Sequence, residues 1–195
     1  TDANGCVDTG KITVNVNTKP VVRAGTQKSI CIGASTTLTA TGAATYVWTP
    51  ATGLSCTNCA SPTANPATTT TYTVVGTAAN GCTDTDQVQV IVNPLPMVNA
   101  GTDKAICAGS STFLSANGAA TYVWTPATGL SCNNCAVPAA SPATTTNYIL
   151  TGTDVNGCVN TDTVKVTVNP IPDIIVNSSA SVVCSGGKVQ LDVSG

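Results

Sequence analysis

The sequence predicts an all-β protein made of tandem two-layer sandwiches, on three observations. The fifteen residues Gly42–Cys56, GAATYVWTPATGLSC, return unchanged at Gly118–Cys132, which makes the chain a tandem repeat. Thr, Val, Ala, Asn, Ser and Gly dominate, while Glu and His are absent and Met occurs once, so strand and turn formers displace the straight-chain residues that sustain helices. Short runs of alternating apolar and polar residues are separated by Gly, Pro and Asn, as half-buried strands and their turns should be.

Laid on itself with Gly118 over Gly42, the chain needs no gap across the second copy. Cys31 falls on Cys107, Tyr46 on Tyr122, Trp48 on Trp124, Cys56 and Cys59 on Cys132 and Cys135, and Cys82 on Cys158. Cys6 takes the same place as Cys82 and Cys158, and Cys184 lies one residue past the place of Cys107. Bounded at the Asn-Pro junctions, the repeats span 18–93 and 94–169. Residues 1–17 read as the final strand of a preceding repeat and 170–195 as the opening segment of a following one.

The closing strands are the most regular elements. Ile12, Val14 and Val16, then Val88, Val90 and Val92, then Val164, Val166 and Val168 each alternate with polar residues. Each run leads into a proline junction, Asn17-Thr-Lys-Pro20, Asn93-Pro-Leu-Pro96 or Asn169-Pro-Ile-Pro172, which removes backbone donors and fixes φ. Such short junctions restrict the angle between neighbours, as expected of a semi-rigid rod.

Within a unit, Val21–Cys31 reads as a first strand broken at Gly25, and Ser35–Thr41 as a second with Leu38 inward. Gly42-Ala-Ala turns the chain into Thr45–Pro50, which carries Trp48. A lone tryptophan on a third strand is the central packing residue of an immunoglobulin-like sandwich, and Trp124 repeats it. Ala51–Pro66, rich in turn residues, reads as loop with short edge strands. Thr68–Val74 opens a long strand with Tyr72, and its counterpart Tyr148, placed as the corner tyrosine of such sandwiches; Asn80-Gly81 is the hairpin signal into the closing strand. About seven strands per repeat result, with a thin apolar core that calls for covalent support.

Ten cysteines with so few charged groups suit an oxidising exterior. Cys56-Thr-Asn-Cys59 and Cys132-Asn-Asn-Cys135 are read as local disulfide clips. A redox centre expects a helix N-terminus, and a zinc site would have to join two pairs lying a full repeat apart with no histidine. Chain entropy gives a four-residue loop about 2 kcal/mol and a Cys31–Cys82 loop about 4 kcal/mol. For the single cysteines two schemes stand. Pairs Cys31–Cys82 and Cys107–Cys158 let each repeat satisfy its own thiols and are preferred. The alternative is Cys31–Cys158, because the corner at Cys31 and the hairpin at Cys82 tend to lie at opposite ends of a sandwich.

Several functions find no support. Net charge is −2 with the basic residues scattered singly, so nucleic acid has no electrostatic footprint to bind. No run reaches the roughly eighteen apolar residues of a transmembrane segment, and the residues from Thr1 have no signal-peptide grammar. No cofactor motif occurs, and without His, Glu or paired carboxylates at a fixed place in each repeat the chain is not expected to be an enzyme. Asp84-Thr-Asp86 suggests calcium ligands, but the counterparts are Asn160 with Asp162 and Asp8 with Gly10, so solvated strand-edge charge is the preferred account. Asn177-Ser-Ser179 matches an N-glycosylation acceptor and equally an ordinary loop. Exposed Thr, Asn and Tyr have the chemistry to contact surface glycans, yet each repeat's tryptophan belongs in its core.

The series Ile30-Cys31-x-Gly33, Tyr46-x-Trp48-x-Pro50-Ala-Thr-Gly-Leu54, Pro62-x-Ala-x-Pro66-x-Thr-Thr-Thr-Thr-Tyr72-Thr-Val74 and Asn80-Gly-Cys82, ending in Val88-x-Val90-x-Val92, resembles the PKD/Ig-like repeats of long Bacteroidota surface proteins, gliding-motility adhesins and other cargo of the type IX secretion system among them. It covers essentially the whole chain and is specific to the repeat class. It implies tandem immunoglobulin-like (PKD-like) β-sandwich repeats of about 76 residues serving as an extracellular stalk. The WDFGDG-like turn of many PKD domains is replaced here by Trp48-Thr-Pro-Ala-Thr-Gly, so no carboxylate site is inherited. Asp162-Thr163-Val164 resembles the O-glycosylation sequon of that phylum, which implies sugar on Thr163.

The expected function is therefore a non-enzymatic cell-surface stalk or filament whose partners are neighbouring repeats and further copies of itself. A carbohydrate-binding array and a spacer in a secreted hydrolase are the alternatives. The first requires an exposed aromatic or carboxylate cluster in every repeat, the second a separate catalytic domain.

Overall fold

The computed structural model describes residues 1–195 and divides into two compact units, Thr1–Pro94 and Leu95–Gly195. The first contains β1 (Lys28–Cys31), β2 (Thr36–Thr37), β3 (Thr45–Thr49), β4 (Thr63–Ala64), β5 (Thr70–Thr77) and β6 (Thr83–Asn93). One layer is a four-stranded sheet in the order β1-β6-β5-β3. Its strands pair antiparallel except β1, which runs parallel to β6 with Lys28 opposite Val90 and Cys31 opposite Asn93. The facing layer is less regular: β2 pairs with β4, and isolated bridges join Arg23 to Thr41 and Leu54 to Ala64.

The second unit repeats this plan with β7 (Lys104–Cys107), β8 (Thr112–Phe113), β9 (Thr121–Thr125), β10 (Ala139–Ala140), β11 (Thr146–Thr153) and β12 (Val159–Asn169). Its sheet order is β7-β12-β11-β9, and β7 again runs parallel to β12. Both units are immunoglobulin-like β-sandwiches. A hairpin of β13 (Ile175–Ser178) and β14 (Leu191–Ser194) follows.

Alternation decides the layers. Along β6 the even-numbered positions point inward, and Val88 and Val90 join Leu38, Trp48, Ala64, Tyr72 and Val74 in the core. Val164, Val166, Leu114, Trp124, Ala140, Tyr148 and Leu150 do the same in the second unit. Six strands form per unit instead of about seven, because Ala51–Pro66 supplies only the two-residue β4 and an isolated bridge at Leu54; the first expected strand also splits. Gly25 interrupts it, leaving Arg23 on the second layer and Lys28–Cys31 on the first.

Two glycines in each unit explain part of the unchanged run and of β5 and β11. Gly42 has φ +93°, and a Cβ there would overlap the Val21 carbonyl; Gly118, at φ +87°, lies equally close to the Met97 carbonyl. Gly76 sits near the end of β5 beneath Val22 and Ala43, where any side chain would strike both, and Gly152 lies likewise near the end of β11 under Val98 and Ala119.

Two expectations are corrected. Residues 7–17 share the alternation of β6 but lie in no strand; alternation selects a face, whereas a strand also needs the ladder partners that β6 finds in β5 and β1. The pairs Cys31–Cys82 and Cys107–Cys158 do not form. Cys31 is level with Asn93, whereas Cys82 precedes Thr83, so the eleven residues of β6 separate them. At strand rise that is roughly 33 Å, against about 4.4–6.8 Å between the Cα atoms of a disulfide. Cys107, level with Asn169, is likewise separated from Cys158 by β12. Cys82 and Cys107 are free thiols, while Cys31 and Cys158 are each disulfide-bonded.

Candidate functional site

The candidate site of each unit is the seam where its entering segment meets its closing strand. In the first unit, residues that must leave the second layer and join the first do so between Val22 and Lys28. Arg23 exchanges backbone hydrogen bonds with Thr41, so the N–H groups of Val22 and Ala24 face the other way, toward an open edge. Both residues are buried, and a buried N–H without an acceptor is costly. The acceptors are carboxylates from β6: Val22 N–H donates to Asp84 Oδ2 at 3.2 Å and Ala24 N–H to Asp86 Oδ2 at 2.7 Å. Lys19 Nζ caps the row at 3.1 Å from Asp84 Oδ1.

These contacts share one register. Asp84 with Val22, Asp86 with Ala24, Val90 with Lys28 and Asn93 with Cys31 are all separated by 62 residues, so side-chain carboxylates continue upstream the row that backbone groups form downstream. Ile32 N–H to the Asn93 carbonyl at 2.8 Å and Asn93 Nδ2 to Ser29 Oγ at 2.8 Å close its far end. The hydrogen bonds from Lys19 and from the Val22 amide hold the Asp84 carboxyl below its ordinary value.

Asp84 and Asp86 are thus partly exposed, as strand-edge charge should be, but each also accepts a backbone hydrogen bond from the entering segment. They share the inward parity of Val88 and Val90, and that parity was the signal in the sequence: an inward carboxylate must have donors waiting. In the second unit Asp162 accepts from Ala100 N–H at 2.8 Å, again at a separation of 62. Asn160 instead donates its amide to the Pro96 carbonyl at 3.0 Å.

The opposite edge of the sheet, at β3, is organised by the tryptophan. Trp48 is fully buried, and its indole N–H donates to the Cys59 carbonyl at 3.0 Å while its backbone N–H donates to Thr57. Cys56 and Cys59 are joined by a disulfide with Cα atoms 6.0 Å apart. The loop therefore covers an edge that would otherwise expose unpaired backbone. Trp124 donates to the Cys135 carbonyl at 3.0 Å, and Cys132–Cys135 is closed with Cα atoms 5.9 Å apart.

Tyr72 and Tyr148 are buried, and their hydroxyls donate to the Thr52 and Thr128 carbonyls at 2.8 and 2.9 Å, tying the loops after β3 and β9 to the core. Burial raises both phenols above the usual tyrosine range. The aromatic side chains go mainly to this interior: Tyr46 and Tyr122 are half-buried with engaged hydroxyls, and Phe113, the exposed one, replaces Thr37 of the first unit. Thr163 lies mid-strand on the outer face of β12, exposed and opposite Ile149.

Mechanically, the seam joins the first and last strands of a unit in parallel. Tension on the two chain ends of the unit pulls β1 and β6 in opposite directions along their length. Every bond of the row is then loaded together in shear, where an antiparallel hairpin would open one bond at a time.

No protein-family model matches the chain, and no curated protein matches it in sequence. Among solved structures it is similar to the N-terminal eight immunoglobulin domains of Down syndrome cell adhesion molecule, at 16% identity and TM-score 0.38, over 90% of this chain and 32% of that one. It is also similar to Drosophila OTK extracellular domains, at 11% identity and TM-score 0.43, over 77% and 60%. A third likeness is to a three-domain immunoglobulin fragment of titin, at 12% identity and TM-score 0.45, over 92% and 77%. The chain spans about a third of the first of these and three-fifths of the second.

Proposed function

We propose that these units are part of a non-enzymatic extracellular stalk, of an adhesin or a surface filament, that carries tension from one repeat to the next. The observation that carries this is the parallel seam between first and last strands, lengthened by Asp84 and Asp86 in one unit and by Asp162 in the other. The repeat boundaries at 18–93 and 94–169 belong to the same proposal, as does the resemblance to PKD/Ig-like repeats of Bacteroidota surface proteins exported by the type IX system.

With both within-unit pairings excluded, Cys31–Cys158 is the pairing proposed for the two oxidised single cysteines, and non-reducing peptide mapping tests it. Sugar on Thr163 is proposed from its sequon and its exposed position. A glycan-binding array is not favoured, because Trp48, Trp124, Tyr72 and Tyr148 are spent on the cores.

Stretching single molecules of residues 1–195 by their ends under reducing conditions, so that no Cys31–Cys158 bond shields the repeats from the force, tests the stalk. The expected trace has two cooperative unfolding steps, each lengthening the chain by on the order of 200 Å, as full extension of one repeat requires. Gradual lengthening at low force contradicts the proposal.

A further inference from the structure

We propose that Cys82 and Cys107 are covalent linkage points for a further repeat unit of the same kind, a cysteine in the Cys107 position of one unit bonding to a cysteine in the Cys82 position of another. The proposal rests on the disulfide-braced stalk above and extends it from this chain to its assembly.

Each unit places its two single cysteines at opposite ends of its closing strand. Cys31 is level with the last residue of β6 and Cys107 with the last residue of β12, while Cys82 and Cys158 directly precede those strands. At roughly 33 Å apart the two cannot oxidise one another. The same two positions are nonetheless oxidised in one copy of the repeat and reduced in the other. Cys31, the counterpart of Cys107, is bonded and Cys107 is a thiol; Cys158, the counterpart of Cys82, is bonded and Cys82 is a thiol.

Each position is thus compatible with a disulfide within this fold. Cys107 is exposed, and Cys82 is half-buried with its Sγ 4.0 Å from the Asn17 carbonyl. A bond between unlike positions is heterologous and propagates head to tail in a line, whereas a bond between like positions closes a pair. A line is what a stalk needs.

The chemistry is thiol–disulfide exchange with a disulfide donor such as oxidised glutathione. One thiolate attacks the donor, releasing one glutathione thiolate and leaving a mixed disulfide. The second cysteine's thiolate displaces the other glutathione. Two cysteine thiols lose two protons and two electrons in all, and one donor disulfide becomes two thiols.

The test uses residues 1–195 with Cys6→Ser and Cys184→Ser, oxidised by glutathione disulfide and resolved without reductant. Expected is a ladder of reducible multimers whose junction peptide joins Cys82 to Cys107. Adding Cys82→Ser or Cys107→Ser should leave each variant monomeric, while an equimolar mixture of the two gives a dimer. Like-to-like dimers of either variant, a bond closed within one chain, or no linkage overturns the proposal. Far-UV circular dichroism checks the fold of each variant, and a Cys82–Cys107 junction peptide mapped in multimers of the unmutated chain gives the same answer without substitution. Mapping Cys31, Cys56, Cys59, Cys132, Cys135 and Cys158 in the starting monomer separates the two levels: if these are reduced, the braced stalk itself fails.

Discussion

The seam is built differently in the two units. The first uses two carboxylates and a lysine: Asp84 takes the Val22 amide and Lys19, and Asp86 takes the Ala24 amide. The second keeps the lower contact as Asp162 with Ala100 but replaces the upper one by Asn160 donating to the Pro96 carbonyl. The lysine changes with it, for Leu95 takes the place of Lys19 in the second copy. What the repeat preserves is a side-chain contact from the closing strand to the entering segment at both levels, the upper one reaching the Val22 N–H in the first unit and the Pro96 carbonyl in the second. Charge at that upper position is not common to the two copies; a side chain that reaches across is.

That comparison can be sharpened from both sides. The largest effects should be common to the units. Trp48→Ala and Trp124→Ala each remove a fully buried indole that also holds the disulfide loop, and each should cost its unit about 3–5 kcal/mol in chemical denaturation. Next come the shared lower contacts. Asp86→Ala and Asp162→Ala orphan the buried Ala24 and Ala100 amides, and each should cost about 1–3 kcal/mol. A loss confined to one unit would mean that the seam is not a common device.

Gly42→Ala and Gly118→Ala test the turn that precedes Trp in both copies. At positive φ against a backbone carbonyl, each should cost about 1–3 kcal/mol, and equally.

The smallest effects should divide the units. Asp84→Asn should weaken the first unit, because its partners Lys19 and the Val22 amide are both donors. Acid should act in the same direction. Since the Asp84 pKa is lowered in the fold, its stabilisation is present above the ordinary carboxylate pKa and is lost as pH falls through the lowered value. The upper contact of the second unit has no carboxylate to protonate, so titrating wild type against Asp84→Asn should reveal this acid-linked loss in the first unit alone.

Much of this was legible in the residues. The constant offset between copies gave the repeat, the strand alternation gave the buried faces, and the lone tryptophan gave the sandwich with Trp48 and Trp124 at its centre. The seam was not, because a charged pair on a strand suggests water. Only the parity shared by Asp84, Asp86, Val88 and Val90 turns it toward the entering segment, and only the fold supplies the Val22 and Ala24 amides that answer it. Pairing Cys31 with Cys82 failed for a related reason. Loop entropy favours closing a long loop but is silent on the length of the strand lying between its ends. The indole bonds to the Cys59 and Cys135 carbonyls likewise depend on a loop path that turn residues alone do not specify.

Hydrogen exchange at the Ala24 and Ala100 amides tests the side-chain seam most directly. Resolved by NMR, both should be protected like the ladder amides of β1 and β7, and Asp86→Ala should release Ala24 while leaving Ile30 protected. Rapid exchange of Ala24 and Ala100 in the unmutated protein would contradict a row of bonds completed by carboxylates.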